Sequence, residues 1–543
     1  MTDRLRALAW IAGDVEAGTR HELETVLAQA MRGGPGAVVD LEDRMRGPLT
    51  FGTAGLRGPV RAGPNGMNTA VVIRTTAGVA AWLSAHGKAG ETVVVGRDAR
   101  HGSERFALAA AEVLAAAGFD ARLLPGPLPT PVLAFAVKHL GAAAGVQITA
   151  SHNPPADNGY KLYDDSGSQI VPPSDGEIEA AIAAAPVARE VARKPGVPVL
   201  GEEIVEDYLA RVATIPPAGA RTLRVAATAL HGVGADVVQR ALAGAGFTDV
   251  HLVAEQSVPD PDFPTVSFPN PEEPGATDLL LALAADVEAD LAIALDPDAD
   301  RCALGVRDRG RSWRMLRGDE AGVLLGEHVL STTSSEDPLV ATTIVSSSML
   351  SRIAEAHGAR YAETLTGFKW LTRAGAGLVF AYEEALGLCV NPDFVRDKDG
   401  IAAAVLACDL AATLRATGRS LLDVLDELAR RHGVHLTDQL SLRVTDLSVR
   451  GEVLDAVRQS PPTSLAGVPV STEDLRPGTD AVRMSGAGVR VVIRPSGTEP
   501  KLKTYLQTVE PVAVSLDEAK AVAADRLAAL RADVEALLSK HLP

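Results

Sequence analysis

The 543-residue sequence is poor in cysteine and in basic charge, and it lacks a long apolar run. Its three cysteines, Cys302, Cys389 and Cys408, are widely spaced, so neither a disulfide framework nor a CxxC metal motif is predicted. A net charge of -17 argues against a nucleic-acid partner, which needs a clustered basic face. The N-terminus has no signal-peptide core, and the alanine-rich run 107–117 is too short to span a membrane. We therefore expect a cytoplasmic protein with neither a membrane nor a nucleic-acid partner.

Several catalytic fingerprints are also missing. The sequence has no Walker A motif, no G-x-G-x-x-G dinucleotide motif and no G-x-S-x-G elbow, so kinase, dehydrogenase and hydrolase activities lack support. Ser151 and His152 are adjacent, and we expect them to be poorly placed to hydrogen-bond as nucleophile and base.

The length and the pattern of apolar runs indicate several α/β domains. A chain of this size is too long for one core. Short runs rich in Val, Ile and Leu alternate with helical patterns, which is typical of parallel α/β layers. Shifts in composition divide the chain into four predicted domains, at residues 1–200, 201–311, 312–432 and 433–543.

The loop at residues 149–161 is the most informative segment. It follows the apolar run Val146-Gln147-Ile148 and carries Ser151, His152, two prolines and Lys161. Proline fixes φ and pushes the preceding residue towards extended geometry. The serine is therefore predicted to be held rigidly beyond a strand end, where open α/β sheets place their ligands. A lone loop serine is otherwise only a turn residue.

A carboxylate cluster follows the apolar run 291–295. Asp296, Asp298 and Asp300 alternate along an extended loop, and such carboxylates can converge on a hard cation such as Mg2+. An EF-hand is excluded because its required glycine and glutamate are replaced by Arg301 and Arg307. A solvated acidic turn is the alternative.

Two further loops carry polar chemistry. Residues 494–501, beginning with Arg494, offer hydroxyls, backbone N–H groups and a guanidinium to an anion. Glu383 and Glu384 form a carboxylate pair suited either to acid–base work or to binding vicinal hydroxyls.

Together these four loops resemble the motifs of the α-D-phosphohexomutase superfamily, which includes phosphoglucomutases and phosphomannomutases. Supporting segments lie at residues 52–58, 96–100, 366–370 and 397–400, and they look most like the phosphoglucomutase-2 and phosphopentomutase branch. The resemblance implies four domains around a central cleft: three related α/β domains with mixed sheets and a C-terminal α+β domain.

The resemblance also implies roles for individual residues. Ser151 would carry the phosphoryl group, with Arg57 at the transferring phosphate, Arg100 near the serine, and Lys161 or His152 handling protons. Asp296, Asp298, Asp300 and the phosphorylated Ser151 would hold Mg2+. The implied substrate-binding residues are Arg301, Lys369, Glu383, Glu384, Lys398, Arg494, Ser496, Gly497 and Thr498.

The implied reaction interconverts a sugar 1-phosphate and a 6-phosphate, through a phosphoserine enzyme and a sugar bisphosphate that also primes the enzyme. Glucose 1-phosphate is the expected substrate, and mannose or pentose phosphates are alternatives. Many glucose-type mutases have serine where this chain has Ala385, so the sugar stays open. A sugar-phosphate-binding regulatory protein is the non-enzyme alternative, and a monomer or homodimer is expected.

Overall fold

The computed structural model describes residues 2–52, 55–217, 219–443, 447–495 and 501–540. The chain forms two compact units. The first comprises Met1–Met315 and Gly387–Ala412, and the second comprises Leu316–Leu386 and Thr413–Pro543.

The first unit begins with three helices and a mixed five-stranded sheet. The elements are α1 (Asp3–Gly13), α2 (Ala17–Met31), α3 (Pro35–Arg44), β1 (Leu56–Pro59), α4 (Thr69–Ala85), β2 (Thr92–Arg97), α5 (Ser103–Ala116), β3 (Asp120–Pro127), α6 (Thr130–His139), β4 (Ala144–Ile148), β5 (Asp157–Asp164) and α7 (Ser174–Ala184). The sheet has the order β1-β5-β4-β2-β3, in which β2 is parallel to β3 and β4, whereas β5 is antiparallel to β1 and β4. All five residues of β4 are buried, as expected for a strand covered on both faces.

A second sheet in the same unit repeats this plan. The elements are α8 (Glu203–Val212), β6 (Arg224–Thr228), α9 (Ala235–Gly244), β7 (Asp249–Leu252), α10 (Asp278–Asp286), β8 (Leu291–Leu295), β9 (Cys302–Arg307) and β10 (Trp313–Met315). The strand order is β10-β9-β8-β6-β7, with β6 parallel to β7 and β8, and β9 antiparallel to β8 and β10. Two single-turn 3-10 helices, Ala188–Glu190 and Ala254–Gln256, complete this part.

A third α/β segment follows, and most of it lies in the second unit. Its elements are α11 (Gly318–Thr332), β11 (Leu339–Thr343), α12 (Met349–His357), β12 (Arg360–Thr364), α13 (Phe368–Leu371), β13 (Leu378–Glu383), β14 (Gly387–Cys389), α14 (Gly400–Ala416) and α15 (Leu421–His432). Strand β11 is parallel to both β12 and β13. A capping box between Ser420 and Asp423 fixes the start of α15.

The C-terminal part is an antiparallel sheet packed against a long helix. Its elements are β15 (Val434–Arg443), α16 (Leu447–Gln459), β16 (Ser464–Leu465), β17 (Val468–Asp474), β18 (Val482–Gly486), β19 (Val489–Pro495), β20 (Lys501–Glu510) and α17 (Leu516–Ser539). The strand order is β15-β20-β19-β18-β17-β16, and α17 packs on β15 and β20.

The predicted fold class, three α/β domains and a C-terminal α+β domain, is thus confirmed, and the central cleft stays a prediction. Among the described residues no single helix could cross a membrane, although the bent pair α14 and α15 passes on length and composition alone.

Candidate functional site

The loop that carries Ser151 begins where β4 ends, as the sequence predicts. Ser151 is 1% exposed and adopts a left-handed backbone with φ of 53°. Its N–H donates to Thr149 Oγ1 at 2.9 Å. Gly159 allows β5 to pass close by, because a Cβ there would lie 2.5 Å from the Thr149 carbonyl oxygen. The unusual backbone at Ser151 is therefore fixed by its neighbours.

The Arg100 side chain hydrogen-bonds to the backbone of the loop that carries Ser151. Its guanidinium donates to the carbonyl oxygens of Ser151 (2.6 Å), Asn153 (2.5 Å), Pro154 (2.8 Å) and Asp157 (3.1 Å). Four bonds from one cation to carbonyls spread over seven residues define the path of the loop. The predicted nearness of Arg100 to the serine is observed, but its hydrogen bonds to this loop are to the backbone.

Two further groups enclose the Arg100 side chain. The ring of Phe263, from the long loop after β7, lies 5.0 Å from its guanidinium carbon. The Asp98 carboxylate lies 3.5 Å from its Nε and also accepts from Ser103 Oγ at 2.5 Å.

The acidic loop follows β8, and its three carboxylates converge. Asp296, Asp298 and Asp300 are all 0% exposed, with ligand oxygens within 4.8 Å of one another. The interpretation as a solvated turn is therefore wrong. Ala299, between two of the acids, has a left-handed backbone with φ of 54°.

Two glycines from distant parts of the chain allow the acidic loop to pack tightly. A Cβ at Gly232 would lie 2.3 Å from Pro297 Cα, and a Cβ at Gly400 would lie 2.4 Å from the Arg301 carbonyl oxygen. These backbones approach too closely for any side chain. The roles of both glycines depend on tertiary contacts, and sequence reasoning assigned no such role to Gly400.

Lys161 lies among the carboxylates as a buried counter-charge. Its Nζ is 2.6 Å from Asp298 Oδ2 and 2.7 Å from Asp300 Oδ2. Burial alone would lower the pKa of Lys161, but these two carboxylates raise it. For Asp298, burial would raise the pKa, and Lys161 outweighs it and lowers the pKa.

Asp296 has the opposite electrostatic environment. Burial, followed by the charges of Asp298 and Asp300, raises its pKa well above the ordinary value. The Ser151 hydroxyl donates to its Oδ2 at 2.7 Å, so the serine and acidic loops meet at this bond. The Arg301 N–H donates to its other oxygen at 3.0 Å.

His152 also reaches the serine. Its Nδ1 lies 3.2 Å from Ser151 Oγ, so the expectation that adjacency prevents this hydrogen bond is wrong. The left-handed φ of Ser151 explains the difference, because an extended backbone would direct successive side chains to opposite sides.

The acidic cluster has spare capacity for a cation. Asp298 Oδ1 and Asp300 Oδ1 are buried, and neither has a hydrogen-bond partner among the described residues. Leaving such an atom unpaired in the interior is costly. Three converging carboxylates, two of them with an unused oxygen, are the ligand type that Mg2+ prefers, so these residues fit a magnesium ion.

Basic residues surround the cluster within the first unit. Lys398 Nζ lies 3.2 Å from Asp300 Oδ2, and Lys398 is only 5% exposed, so it is not a solvated surface charge. Arg57 donates to Asn153 Oδ1 at 3.1 Å, and burial lowers its pKa. The neighbouring Asp397 accepts from Tyr163 OH and Gln169 Nε2, two buried contacts that the sequence did not suggest.

The second unit holds the predicted sugar loop. Glu383 is the last residue of β13 and is 8% exposed, and Lys369 lies on the short helix α13. Glu384 Oε2 accepts from Ser346 Oγ at 2.9 Å and from Thr343 Oγ1 at 3.2 Å. Burial, followed by the charge of Asp319, raises the Glu384 pKa. These contacts agree with a structural role for Glu384.

Asp319, at the start of α11, was missed by sequence reasoning. It accepts from Ser347 N (2.6 Å), Tyr382 OH (3.1 Å) and Thr437 Oγ1 (2.8 Å), and so fixes the strand that ends at Glu383. Its only sequence signal is an acid in the first turn of a helix.

Arg494, expected at the start of a loop, lies in β19 and is paired with Lys503 of β20. The other predicted phosphate-binding residues, Ser496, Gly497 and Thr498, lie outside the described residues.

Family models match most of the chain in four consecutive pieces. Their descriptions are phosphoglucomutase/phosphomannomutase, alpha/beta/alpha domain I (residues 48–188), domain II (206–310) and domain III (317–432), and the C-terminal domain (442–533).

Individual relatives match this chain over most of their own lengths. A protein of Haemophilus influenzae named a probable phosphomannomutase is 42% identical, over 81% of this chain and 93% of its own. A human phosphopentomutase is 32% identical, over 92% of this chain and 90% of its own. A crystal structure from Thermus thermophilus, named provisionally as a phosphomannomutase, has a TM-score of 0.72 at 25% identity and covers 91% of this chain and 99% of that one.

Proposed function

This chain belongs to the phosphoglucomutase/phosphomannomutase family of phosphosugar mutases, and we propose that it carries its phosphoryl group on Ser151. The observation behind this assignment is the 2.7 Å bond from Ser151 Oγ to Asp296 Oδ2, which fixes the hydroxyl at the edge of a cation-binding cluster. A rigid buried hydroxyl beside three carboxylates is suited to phosphoryl transfer once a cation and arginines offset the negative charge.

The Asp296, Asp298 and Asp300 carboxylates, with the phosphoserine oxygen, would hold Mg2+. The bound ion would neutralise phosphate charge and polarise phosphorus. Arg57, close to the serine loop through Asn153, would bind the transferring phosphate.

The reaction we propose is a double transfer. A sugar hydroxyl attacks phosphorus of phosphoserine 151, the new O–P bond forms, and the bond from phosphorus to Ser151 Oγ breaks. The resulting sugar bisphosphate returns its other phosphoryl group to Ser151. We assign proton handling to Lys161 or His152, because one lies among the carboxylates and the other contacts the serine oxygen. The same bisphosphate would prime unphosphorylated enzyme.

The sugar and its distal phosphate would be read by the remaining predicted residues, Arg301, Lys369, Glu383, Lys398, Arg494, Ser496, Gly497 and Thr498. Glu384 would support this loop from behind through its bonds to Ser346 and Thr343.

We propose glucose 1-phosphate and glucose 6-phosphate as the preferred pair. Mannose and pentose phosphates are the alternatives, since the relatives include proteins named for both. A cytoplasmic location, a monomer or homodimer, and domain boundaries at residues 200, 311 and 432 stay predictions.

The deciding experiment compares kcat/KM for glucose 1-phosphate, mannose 1-phosphate and ribose 1-phosphate on one preparation primed with glucose 1,6-bisphosphate. Selectivity is the ratio of these constants. A higher value for glucose 1-phosphate supports the proposal. A higher value for ribose 1-phosphate or mannose 1-phosphate replaces glucose with that sugar, and no turnover of any of them contradicts the mutase assignment.

A further inference from the structure

The second unit contains a polar cavity of about 740 Å3 between the end of α15 and the turn that joins β18 to β19. Arg490 lines it from the start of β19. Arg494 lies four residues further along, about 13 Å away at about 3.3 Å per strand residue. The cavity is therefore separate from the predicted distal phosphate loop.

Guanidinium groups outnumber carboxylates in the cavity lining, although each guanidinium is paired with a carboxylate: Arg352 with Glu355, Arg490 with Glu363 and Arg526 with Glu510. Arg352, Arg490 and Arg526 contribute guanidinium groups, whereas Glu510 is the one lining carboxylate among the described residues. Arginine is the side chain best suited to bind phosphate oxygens, because its planar fork offers paired donors.

Two of these arginines keep donors for a ligand. Arg526 pairs with Glu510 through Nη1 at 2.7 Å, which leaves Nε and Nη2 outside that contact. Arg352 is 62% exposed and pairs with Glu355 at 3.2 Å, an exposed ion pair of little energetic value. Arg490 instead donates to the Ser346 carbonyl oxygen and pairs with Glu363. It contributes charge rather than free donors.

His432 supplies an unsatisfied group at the same place. Its Nε2 is buried and has no hydrogen-bond partner among the described residues. Leaving such a nitrogen unpaired is unfavourable, so this part of the cavity wall is not fully satisfied by the protein alone.

His435 is the second histidine in the wall of this cavity. Burial lowers its pKa to about 4, so the ring is neutral at pH 7. Its Nδ1 accepts from Gln507 Nε2 at 3.0 Å, and its Nε2 donates to the His432 carbonyl oxygen at 3.3 Å.

The turn at Gly488 brings the backbone close to Arg526. Gly488 has φ of 69°, and a Cβ there would lie 2.6 Å from the Val509 carbonyl oxygen and 3.2 Å from Arg526 Nη1. Only glycine fits this conformation without displacing the arginine. The approach of Gly488 to the Val509 backbone thus defines the turn that lies beside Arg526.

We propose that this cavity binds a phosphorylated small molecule, as a site additional to the sugar phosphate site. Its volume lies within the range of about 300–1,000 Å3 that small-molecule sites occupy, so it has room for a phosphate group together with the rest of a small molecule. Its walls come from residues before Gly433 (Ser348, Arg352, His432) and after it (the β18–β19 turn, Arg526). A bound anion would therefore contact both the third α/β segment and the C-terminal sheet.

Hydrogen–deuterium exchange of the full chain, with inorganic phosphate as the probe, tests this proposal. We expect phosphate to slow exchange in peptides covering residues 348–356 and 484–490. In the double variant Arg352→Ala/Arg526→Ala, the phosphate concentration for half-protection should rise at least about tenfold, because two charged hydrogen-bond donors are lost. Arg531→Ala is the matched control on α17, since this arginine pairs with Asp438 and Glu535 outside the cavity, and it should behave as wild type.

Equal protection in the double variant overturns the proposal, and so does an absence of protection in these peptides of the wild type. Protection confined to residues 149–161 and to peptides containing Arg494 supports the mutase site while refuting the additional site. Protection confined to the cavity peptides supports the additional site and counts against the mutase site. If the double variant does not fold, Arg352→Gln at the exposed side chain gives the same comparison.

Discussion

Two clusters of acidic residues follow strand ends in this protein, and they are built differently. In the first unit, Asp296, Asp298 and Asp300 face Lys161, and two of their oxygens have no hydrogen-bond partner among the described residues. In the second unit, Glu384 accepts from the hydroxyls of Ser346 and Thr343. The first set is suited to an added cation, whereas Glu384 is satisfied by neutral donors.

This contrast assigns the aspartate cluster to the chemistry of transfer and the loop of Glu383 and Glu384 to recognition of the sugar. Burying several like charges is costly unless a counter-charge is present. The aspartate cluster uses Lys161 and has room for a metal ion, while burial and Asp319 raise the pKa of Glu384. We therefore expect substitutions in the aspartate and serine loops to affect turnover strongly, and substitutions in the sugar loop to affect selectivity.

The largest effect is expected for Ser151→Ala. If Ser151 carries the phosphoryl group, its loss should reduce kcat by at least about 10^4-fold, the scale typical of a missing nucleophile. Intact-mass measurement after incubation with glucose 1,6-bisphosphate should show one added phosphoryl group on the wild type and none on the variant. Ser166→Ala, in the turn after β5, is the control and should keep both properties. Undiminished turnover by Ser151→Ala would remove the serine from the mechanism.

Asp298→Asn should rank next. It removes a charge from the cluster and leaves Lys161 with Asp300 as the remaining partner, so Mg2+ binding should weaken and activity should fall by about 10^2–10^3-fold. Thermal unfolding with and without Mg2+ is the measurement: the ion should raise the Tm of the wild type and leave that of the variant unchanged. Asp286→Asn, at the end of α10, serves as the control. A variant that Mg2+ stabilises as much as the wild type would show that the ion binds elsewhere.

Substitution of Arg100 should have a smaller effect on turnover, and it tests the same comparison between the two acidic clusters. Arg100→Ala removes four charged bonds to the serine loop, so kcat should fall by about 10–100-fold with little change in KM, because the loop is misplaced rather than lost. Arg100→Lys should restore part of the loss, and Arg105→Ala, on the neighbouring helix, should have no effect. A rise in KM alone would indicate that Arg100 binds substrate instead of positioning the loop.

Local patterns in the sequence predicted the strand ends and the residues that follow them, since β4, β8 and β13 each lead into a predicted loop. The length and boundaries of elements were less accurate. Serine is a residue type favoured at the N-cap, but Ser103 is the first helical residue of α5, Gly102 is the N-cap, and the Ser103 hydroxyl donates to Asp98.

Sequence patterns could not predict the contacts between distant segments. Examples are the insertion of Lys161 between two aspartates, the packing of Gly400 on the acidic loop, and the bonds from Tyr382 and Thr437 to Asp319, all of which join residues more than 60 positions apart. Each depends on backbone geometry that only the folded chain defines. The same holds for the hydrogen bond of His152 to Ser151, which follows from the left-handed φ of the serine.

The smallest effect is expected in the sugar loop, for Ala385→Ser. Ala385 is partly buried next to Glu384, and Leu386 after it has a left-handed φ of 64°. The new hydroxyl adds one possible hydrogen bond to the sugar and leaves the serine and aspartate loops untouched. The ratio of kcat/KM for glucose 1-phosphate over ribose 1-phosphate should therefore rise by about 3–10-fold, the value of one neutral hydrogen bond. Ala376→Ser, on an exposed turn before β13, should leave the ratio unchanged. An equal fall of kcat with both sugars would mean that residue 385 supports the chemistry, and the separation between the two clusters would then fail.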